Sequence, residues 1–342
     1  MKKTAKEIGS EFWNIPVCEK KNNIFDEATW FISGRAAFRA ILQQIKTQIG
    51  GLEPIKVALP SYLCESMILP LKKEAIEYKF YPVDFSNGNL RYDYSDIGDC
   101  NIILVIDYFG YESLINSFPK FGKIVIRDLT HSIFTKKYDD ADYYFGSLRK
   151  WTGFKCGGFA FKKDGKIFQP IDTLDNYYVL RSKAMLLKEQ FINGKSDSKK
   201  YLELFGEAEN LLDDCKIASS IIGDEEAARY LDIKTIKTIR RRNAQVLIDG
   251  LKEHCLVNFI GENDCPLFVP ILYNNRDKLR KFLIGKEIYC PIHWPKPFKE
   301  NGMPNLLYEQ ELSLVCDQRY TIKDMQRIVE TIKEFIENDK NA

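Results

Sequence analysis

Short apolar runs that alternate with polar, helix-length spacers limit the possible folds of this chain more than any other feature. Residues 55–59, 78–83, 101–106 and 123–127 have the length and apolar content of strands. Helical patterns, such as the one over residues 63–75, fit between strands of this kind. The alternation predicts an α/β fold with a mostly parallel central sheet that is flanked by helices.

The second half of the chain follows a different pattern. Residues 172–251 carry charged side chains among Leu, Ile and Ala with few Gly or Pro, which predicts a helical connector. We expect a large domain over residues 1–234, which includes most of this connector, and a small α+β domain over residues 235–342. The elements expected in the small domain are strands at 267–272 and 288–294 and helices at 276–284 and 321–337.

The composition narrows the possible partners. Among 342 residues, 50 are Lys or Arg and 48 are Asp or Glu, so a net charge of +2 provides no field that favours nucleic acid or an anionic membrane. The nine cysteines contain no CxxC pair, which is typical of buried thiols rather than of a disulfide framework or a zinc site. No run approaches the roughly 18 apolar residues of a membrane span, and the N-terminus lacks a signal sequence. We therefore expect a cytoplasmic protein without a metal.

Lys150 is the first candidate for chemistry. It follows the aromatic run at residues 143–145 and precedes Gly157 and Gly158. A lysine buried at a strand end has a lowered pKa and supplies the free amine that imine formation requires. Glycines allow the backbone to pass close to a ligand. An ordinary solvated lysine is the alternative, and only these neighbours favour the reactive interpretation.

Two further features are suited to hold a cofactor. Asp128 ends a strand pattern 22 residues before Lys150. A carboxylate there could pair with a protonated pyridine nitrogen and strengthen the ring as an electron sink, although a loop or N-cap aspartate is the alternative. Ser33 and Gly34 open a helical pattern, and the free N–H groups of a helix start favour a phosphate. An ordinary N-cap explains this pair equally well.

In their order along nearly the whole chain, these motifs resemble the DegT/DnrJ/EryC1/StrS family of sugar aminotransferases, which depend on pyridoxal 5'-phosphate (PLP) and have the fold-type I architecture. The matching segments are Ser33-Gly34-x-Ala36-Ala37, Leu59-Pro60-Ser61-Tyr62, Pro82-Val83-Asp84, Asp107-Tyr108-Phe109-Gly110, Arg127-Asp128-Leu129-Thr130-His131, Ser147-Leu148-Arg149-Lys150 with Gly157-Gly158, residues 289–295 and residues 312–320.

The resemblance implies a role for each matching residue. Lys150 would form the Schiff base with PLP and act as the base of the proton shift, while Asp128 would bind the pyridine nitrogen. His131 would pack on the ring or hydrogen-bond to it. The groups expected to hold the phosphate are the backbone amides of Gly34, Arg35 and Ala36, the Ser147 hydroxyl and the Arg35 guanidinium.

The sequence also departs from the family. Ser147 lies three residues before the lysine, where the family usually has five, and Arg35 replaces a small residue such as threonine. The connector lacks the Asn-His-Gly stretch that often reaches into a neighbouring subunit. Tyr62 is a candidate for stacking on the cofactor, against a role in the core. His293 is a candidate for substrate contact from the small domain, against a structural role, whereas His254 is expected at the surface.

The resemblance implies an aminotransferase that moves an amino group from an amino acid such as glutamate to a keto-sugar, expected to be nucleotide-linked, in polysaccharide or related biosynthesis. It also implies a homodimer, with small molecules as the other partners. Two alternatives remain open at this point. One is a PLP enzyme of another reaction type or with a non-sugar acceptor, and the other is a catalytically silent binding protein on the same fold.

Overall fold

A seven-stranded sheet forms the centre of the structure. The structure is a computed structural model, and it describes residues 7–50, 54–86, 89–115, 122–135, 140–297 and 305–340. The strands in these ranges are β1 (Ile8–Gly9), β2 (Thr29–Phe31), β3 (Lys56–Pro60), β4 (Glu77–Tyr81), β5 (Val83–Ser86), β6 (Asn89–Tyr92), β7 (Ile102–Ile106), β8 (Ile124–Asp128), β9 (Tyr143–Ser147), β10 (Gly158–Lys162), β11 (Phe268–Leu272), β12 (Ile288–Tyr289) and β13 (Glu311–Val315). The α-helices are α1 (Gly34–Ile49), α2 (Ile68–Lys73), α3 (Asp175–Ile192), α4 (Tyr201–Asn210), α5 (Ile222–Arg229), α6 (Ile233–Leu251), α7 (Arg276–Gly285), α8 (Leu306–Gln310) and α9 (Ile322–Lys340).

The central sheet has the strand order β2-β10-β9-β8-β7-β3-β4. All neighbours from β9 to β4 are parallel. Every residue of β7 and β9 is buried, which explains why β7 is a continuous apolar run rather than an alternating one. The predicted α/β fold with a mostly parallel sheet is confirmed.

The sequence did not indicate that β10 runs antiparallel to both of its neighbours. The segment that joins β9 to β10, residues 148–157, is shorter than the dozen or more residues that a parallel crossover needs. The chain therefore turns back beside β9, which brings Gly158 opposite Ser147 and next to the start of α1.

Helix α1 lies against β9 and β10. It begins where the Ser33 hydroxyl accepts the Ala36 N–H at 3.2 Å, and it ends at Gly50, whose φ of 68° is the left-handed conformation that favours glycine. A Cβ atom added to Gly34 would lie 3.3 Å from the Ser147 side chain. This close packing places the first N–H groups of α1 at the carboxyl end of β9.

The helical connector and the C-terminal part largely follow the predictions. Helices α3 to α6 occupy the predicted connector, and β11, α7 and α9 occupy the predicted positions in the C-terminal part. Two elements are shorter than expected. The helix expected at 63–75 is a 3-10 turn followed by α2, and the strand expected at 288–294 is only β12, because Pro291 cannot donate to a strand ladder. In the described ranges, no helix is long and apolar enough to cross a membrane.

The first described strand belongs with the C-terminal part. β1 pairs with β12, and the Gly9 N–H donates to the Tyr320 hydroxyl at 2.8 Å. The division expected at residue 234 assigns β1 to the large domain, so this segment crosses the expected boundary. Helix α6 starts at Ile233, beside that boundary, and packs against α9.

Candidate active site

Two cavities meet at the carboxyl edge of the sheet, where ligands of open α/β sheets bind. The smaller has a volume of about 170 Å³ and the larger of about 640 Å³. Four residues line both of them: Ser147, Arg149, Lys150 and Glu209. The last residue of β9 and the turn that follows it therefore form the wall between the two cavities.

Lys150 ends the 3-10 turn Leu148–Lys150 that follows β9. Its side chain is exposed, and its amino group has no hydrogen bond or ion pair with any residue in the described ranges. The sequence suggested a buried lysine, but the turn carries the side chain out of the sheet and into the space that both cavities share. A primary amine at this point can reach a molecule in either cavity.

Asp128, the last residue of β8, is buried and lines the smaller cavity. One carboxylate oxygen accepts the Thr130 N–H at 2.8 Å. Burial raises the pKa of Asp128 from its ordinary value of 3.8 to about 6, because the hydrogen bond with Thr130 and the charge of Lys150 offset only part of the desolvation. A cation placed against this carboxylate would stabilise its ionised form.

His131 is buried beside Asp128 and lines the same cavity. Its Nδ1 accepts the Phe109 N–H at 3.4 Å, and burial lowers the pKa of His131 to about 3, so the ring is neutral. The ring stacks on Trp294, with centroids 5.4 Å apart and planes inclined by 25°. Trp294 also lines the cavity, and the sequence reasoning missed it although it directly follows His293.

The start of α1 borders the smaller cavity through Ser33, Gly34 and Arg35. The Ala36 N–H is already bonded to the Ser33 hydroxyl, so the N–H groups of Gly34 and Arg35 are the ones that remain for a ligand. The Ser147 hydroxyl has no partner among the residues that the structure describes, and it borders both cavities. These groups form a site that suits an anion.

An ion cluster that the sequence did not indicate lies beside this site. The Glu209 carboxylate contacts the Arg35 guanidinium at 2.5 Å and the Arg149 guanidinium at 2.8 Å, and Arg35 also contacts Asp213 at 2.8 Å. Burial acts to raise the pKa of Glu209, but the charges of Arg149 and Arg35 outweigh it and hold the value at about 2. The Arg35 guanidinium is thus paired with Glu209 and Asp213, and the direct phosphate contact predicted for it stays a prediction.

Tyr62 lines neither cavity, in contrast to the role in cofactor binding predicted for it. Its ring is fully buried against Tyr108, Trp294 and Tyr308, with centroid distances of 5.1 to 5.5 Å. The backbone after β3 turns it into this aromatic cluster, which is the core role that the sequence left open.

His293 lies where the sequence placed it, on the wall of the larger cavity, and it is buried. Its Nδ1 is 2.7 Å from the Ser313 hydroxyl, and its ring is edge-to-face with His131 at 5.0 Å. His254 is remote from both cavities and packs on Tyr273. The structure thus brings a lysine, a carboxylate, two neutral imidazoles and a helix start around one pair of cavities.

No protein-family model and no curated protein sequence matches this chain. Solved structures do match it. PseC of Helicobacter pylori, an aminotransferase involved in the biosynthesis of pseudoaminic acid, is 13% identical with a TM-score of 0.64, over 96% of this chain and 100% of PseC. A DegT DnrJ EryC1 StrS aminotransferase from Brucella abortus is 16% identical with a TM-score of 0.59, over 90% of this chain and 85% of its own.

The PLP form of Spr1654 from Streptococcus pneumoniae is 15% identical with a TM-score of 0.60, over 96% of this chain and 93% of that one. Each match extends over most of both chains, so the likeness concerns the whole architecture rather than the sheet alone. The chain therefore has the fold-type I architecture of the DegT/DnrJ/EryC1/StrS aminotransferases, as the sequence predicted.

Proposed function

We propose that this chain is a PLP-dependent aminotransferase that acts on a sugar, as a divergent relative of the DegT/DnrJ/EryC1/StrS enzymes. One observation carries the proposal: Lys150, Asp128 and the start of α1 converge on a single cavity. A primary amine, a buried carboxylate and a helix N-terminus are the groups required by the aldehyde, the pyridine nitrogen and the phosphate of PLP.

The residues present fit the cofactor. Asp128 needs a cation because its carboxylate is buried, and a protonated pyridine nitrogen supplies one. The Gly34 and Arg35 N–H groups and the Ser147 hydroxyl would hold the phosphate. His131, a neutral ring beside Asp128, would pack on or hydrogen-bond to the cofactor. When bound, PLP supplies an electron sink that makes a proton on the substrate's α-carbon acidic.

Lys150 has two tasks in this proposal. Its Nζ would form the covalent link to the cofactor and, once released, would act as the base that takes the proton from the substrate's α-carbon for the 1,3-prototropic shift. The observed geometry suits both tasks, because the side chain is exposed and borders both cavities. A lysine tied in an ion pair would have to break that pair at each turnover.

The larger cavity and the resemblance support the substrates that we propose. A volume of about 640 Å³ next to Lys150 accommodates an amino acid donor, proposed to be glutamate, and in turn a keto-sugar acceptor that is nucleotide-linked. PseC, which shares the fold, is involved in the biosynthesis of pseudoaminic acid. We extend the proposal to polysaccharide or related biosynthesis, a cytoplasmic location and a homodimer. His293 would contact the substrate from the wall of the larger cavity.

Absorption spectroscopy tests the cofactor. Purified protein with PLP should show the Schiff-base band near the edge of the visible range, and borohydride should fix the cofactor on the peptide that contains Lys150. Lys150→Ala should lose both signals, whereas Lys166→Ala, a matched change at an exposed lysine, should keep them. Failure of the wild-type protein to bind PLP would leave the silent binding protein as the better hypothesis.

The reaction type is tested with the amino donor. Glutamate should convert the pyridoxal form to the pyridoxamine form, and a screen of keto-sugars should identify the acceptor that reverses the change. A band that persists with glutamate and every other donor would instead indicate another PLP reaction. Light scattering tests the dimer, and a monomer at micromolar concentration would contradict that part of the proposal.

A further inference from the structure

Three buried groups behind the larger cavity form a continuous hydrogen-bonded chain. The Ser313 hydroxyl donates to Glu311 Oε1 at 2.5 Å, and its oxygen lies 2.7 Å from His293 Nδ1. The His293 backbone N–H donates to Glu311 Oε2 at 2.8 Å, which fixes the carboxyl group in place. Glu311 and Ser313 are completely buried, and His293 is 3% exposed.

The local structure explains this alignment. Glu311 and Ser313 are alternate residues of β13, so their side chains lie on the same face of the strand. The Ser313 backbone N–H donates to the Pro291 carbonyl at 3.0 Å, which holds the segment after β12 beside that face. Since Nδ1 faces Ser313, the opposite edge of the His293 ring carries Nε2. That nitrogen has no hydrogen-bond partner in the described ranges, and His293 lines the larger cavity with Lys150.

We propose that His293, Ser313 and Glu311 are a proton relay that accepts a proton from the ammonium group of the amino donor in the larger cavity. The inference rests on the proposed function, because an amino acid must lose a proton before its nitrogen can act as a nucleophile. The ammonium proton moves to His293 Nε2 as the Nδ1 proton moves to Ser313 Oγ and the hydroxyl proton moves to Glu311 Oε1. The relay gains one proton and the Glu311 carboxylate becomes neutral, so His293 is not left as an imidazolium.

Burial explains why the proton should end on Glu311 rather than on His293. Burial, with the nearby charge of Lys150, lowers the pKa of His293 well below its ordinary value. Burial raises the pKa of Glu311 to about 8, against the hydrogen bonds of Ser313 and His293 and the charge of Arg276. A neutral carboxylic acid is far easier to accommodate in this environment than a buried cation. Burial raises the pKa values of Tyr62 and Cys290, and the charge of Glu311 raises them further.

The side-chain hydrogen bonds that link His293, Ser313 and Glu311 exchange donor and acceptor when Glu311 is protonated. With ionised Glu311, His293 carries its proton on Nδ1 and offers a bare Nε2 to the cavity. With protonated Glu311, the carboxyl group donates to Ser313, Ser313 donates to Nδ1, and the proton of His293 resides on Nε2. His293 therefore accepts a proton only above the pKa of Glu311, although the imidazole itself never becomes charged.

Nitrogen NMR of protein labelled with ¹⁵N-histidine tests this switch directly. The chain has three histidines, so one His→Gln variant for each assigns all the signals. His293 should be neutral at pH 6.5 and pH 9.5, with the proton on Nε2 at the lower pH and on Nδ1 at the higher. Glu311→Gln should remove the change with pH, and His254→Gln should preserve it. A charged His293 ring at pH 6.5, or the same tautomer at both pH values, would overturn the relay.

Kinetics supply the second readout. With PLP-loaded protein and glutamate, Ser313→Ala and Glu311→Gln should slow conversion to the pyridoxamine form by about 100-fold, the range of general acid–base catalysis. They should also abolish the rise in rate with pH around 8, which a merely structural defect would not do. Rates and pH profiles equal to those of the wild type would refute the relay. If wild-type protein fails to react with glutamate, the proposed function fails, while the NMR result still decides the relay.

Discussion

Replacement of Asp128 by asparagine should stabilise the cofactor-free protein and prevent it from holding PLP. Asp128 is 7% exposed, and one of its oxygens accepts the Thr130 N–H, a bond that an asparagine oxygen can also accept. Asparagine has nearly the same shape but no charge, so the variant removes the cost of a buried carboxylate. It also removes the partner that we propose for the pyridine nitrogen.

The expected gain in stability of Asp128→Asn follows from the pKa of Asp128. Its value in the folded protein is about 6 against an ordinary 3.8, a difference of about 2, which corresponds to about 3 kcal/mol of unfolding free energy. Because the folded value is the higher one, the folded state binds the proton more tightly. The burial of Asp128 therefore lowers the unfolding free energy of the wild type as pH rises from about 4 to 6. Above pH 6 this free energy keeps its lower value. We expect Asp128→Asn to be more stable by about 1 to 3 kcal/mol at pH 7.5, and by little at pH 4.

Urea unfolding at pH 4, 6 and 7.5 without cofactor measures this difference, and a thermal shift series with PLP measures the second effect. PLP should stabilise the wild type much more than the variant, so the order of stability should reverse at saturating cofactor. Asp249→Asn, which changes an exposed carboxylate, is the matched control. Glu209→Gln is unsuitable as a control because Glu209 borders the same cavity as Asp128. A variant that is less stable than the wild type at pH 7.5, or equally stabilised by PLP, would refute the reasoning.

Three further substitutions test residues that support the structure around the site. Arg127→Met should lower the unfolding free energy by about 3 to 5 kcal/mol in urea titrations, because it leaves Asp107, now 2.6 Å from the guanidinium, buried without its partner. Gly158→Ala should cost about 1 to 3 kcal/mol and weaken PLP binding, since its Cβ would lie 2.3 Å from the Ser33 backbone, whereas Gly223→Ala meets no atom. Ser33→Ala should cost about 1 kcal/mol of unfolding free energy as α1 loses its cap.

The sheet, and the placement of Asp128, Lys150 and the start of α1 around one cavity, could be predicted because their signals are local. Strands buried on both faces produce apolar runs, and the order of such runs indicates a parallel sheet. Asp128 and Lys150 were found because each follows a strand pattern, and the carboxyl ends of parallel strands meet at one edge. The start of α1 was found from the Ser-Gly pair that opens its helical pattern.

Other features depend on contacts that no local pattern records. Glu209 is one of several acidic residues in a charged connector, and only the tertiary fold brings it to Arg35 and Arg149, 174 and 60 residues away. β1 is two residues long, so its pairing with β12 had no detectable periodicity. Tyr62 follows a strand as Asp128 does, but the side-chain direction after the strand decides between cavity and core.

This contrast explains why the sequence predicted a cofactor more readily than a substrate. The groups proposed to hold PLP lie on β8, β9 and α1, whose positions follow from the sheet. The larger cavity is instead lined by α3 and α4 of the connector through Arg181 and Phe205, and by the C-terminal part through Tyr289 and His293. The connector is also where the sequence departs from the family. Substrate preference should therefore change with Phe205 of α4, which lines only the larger cavity, while PLP affinity stays constant.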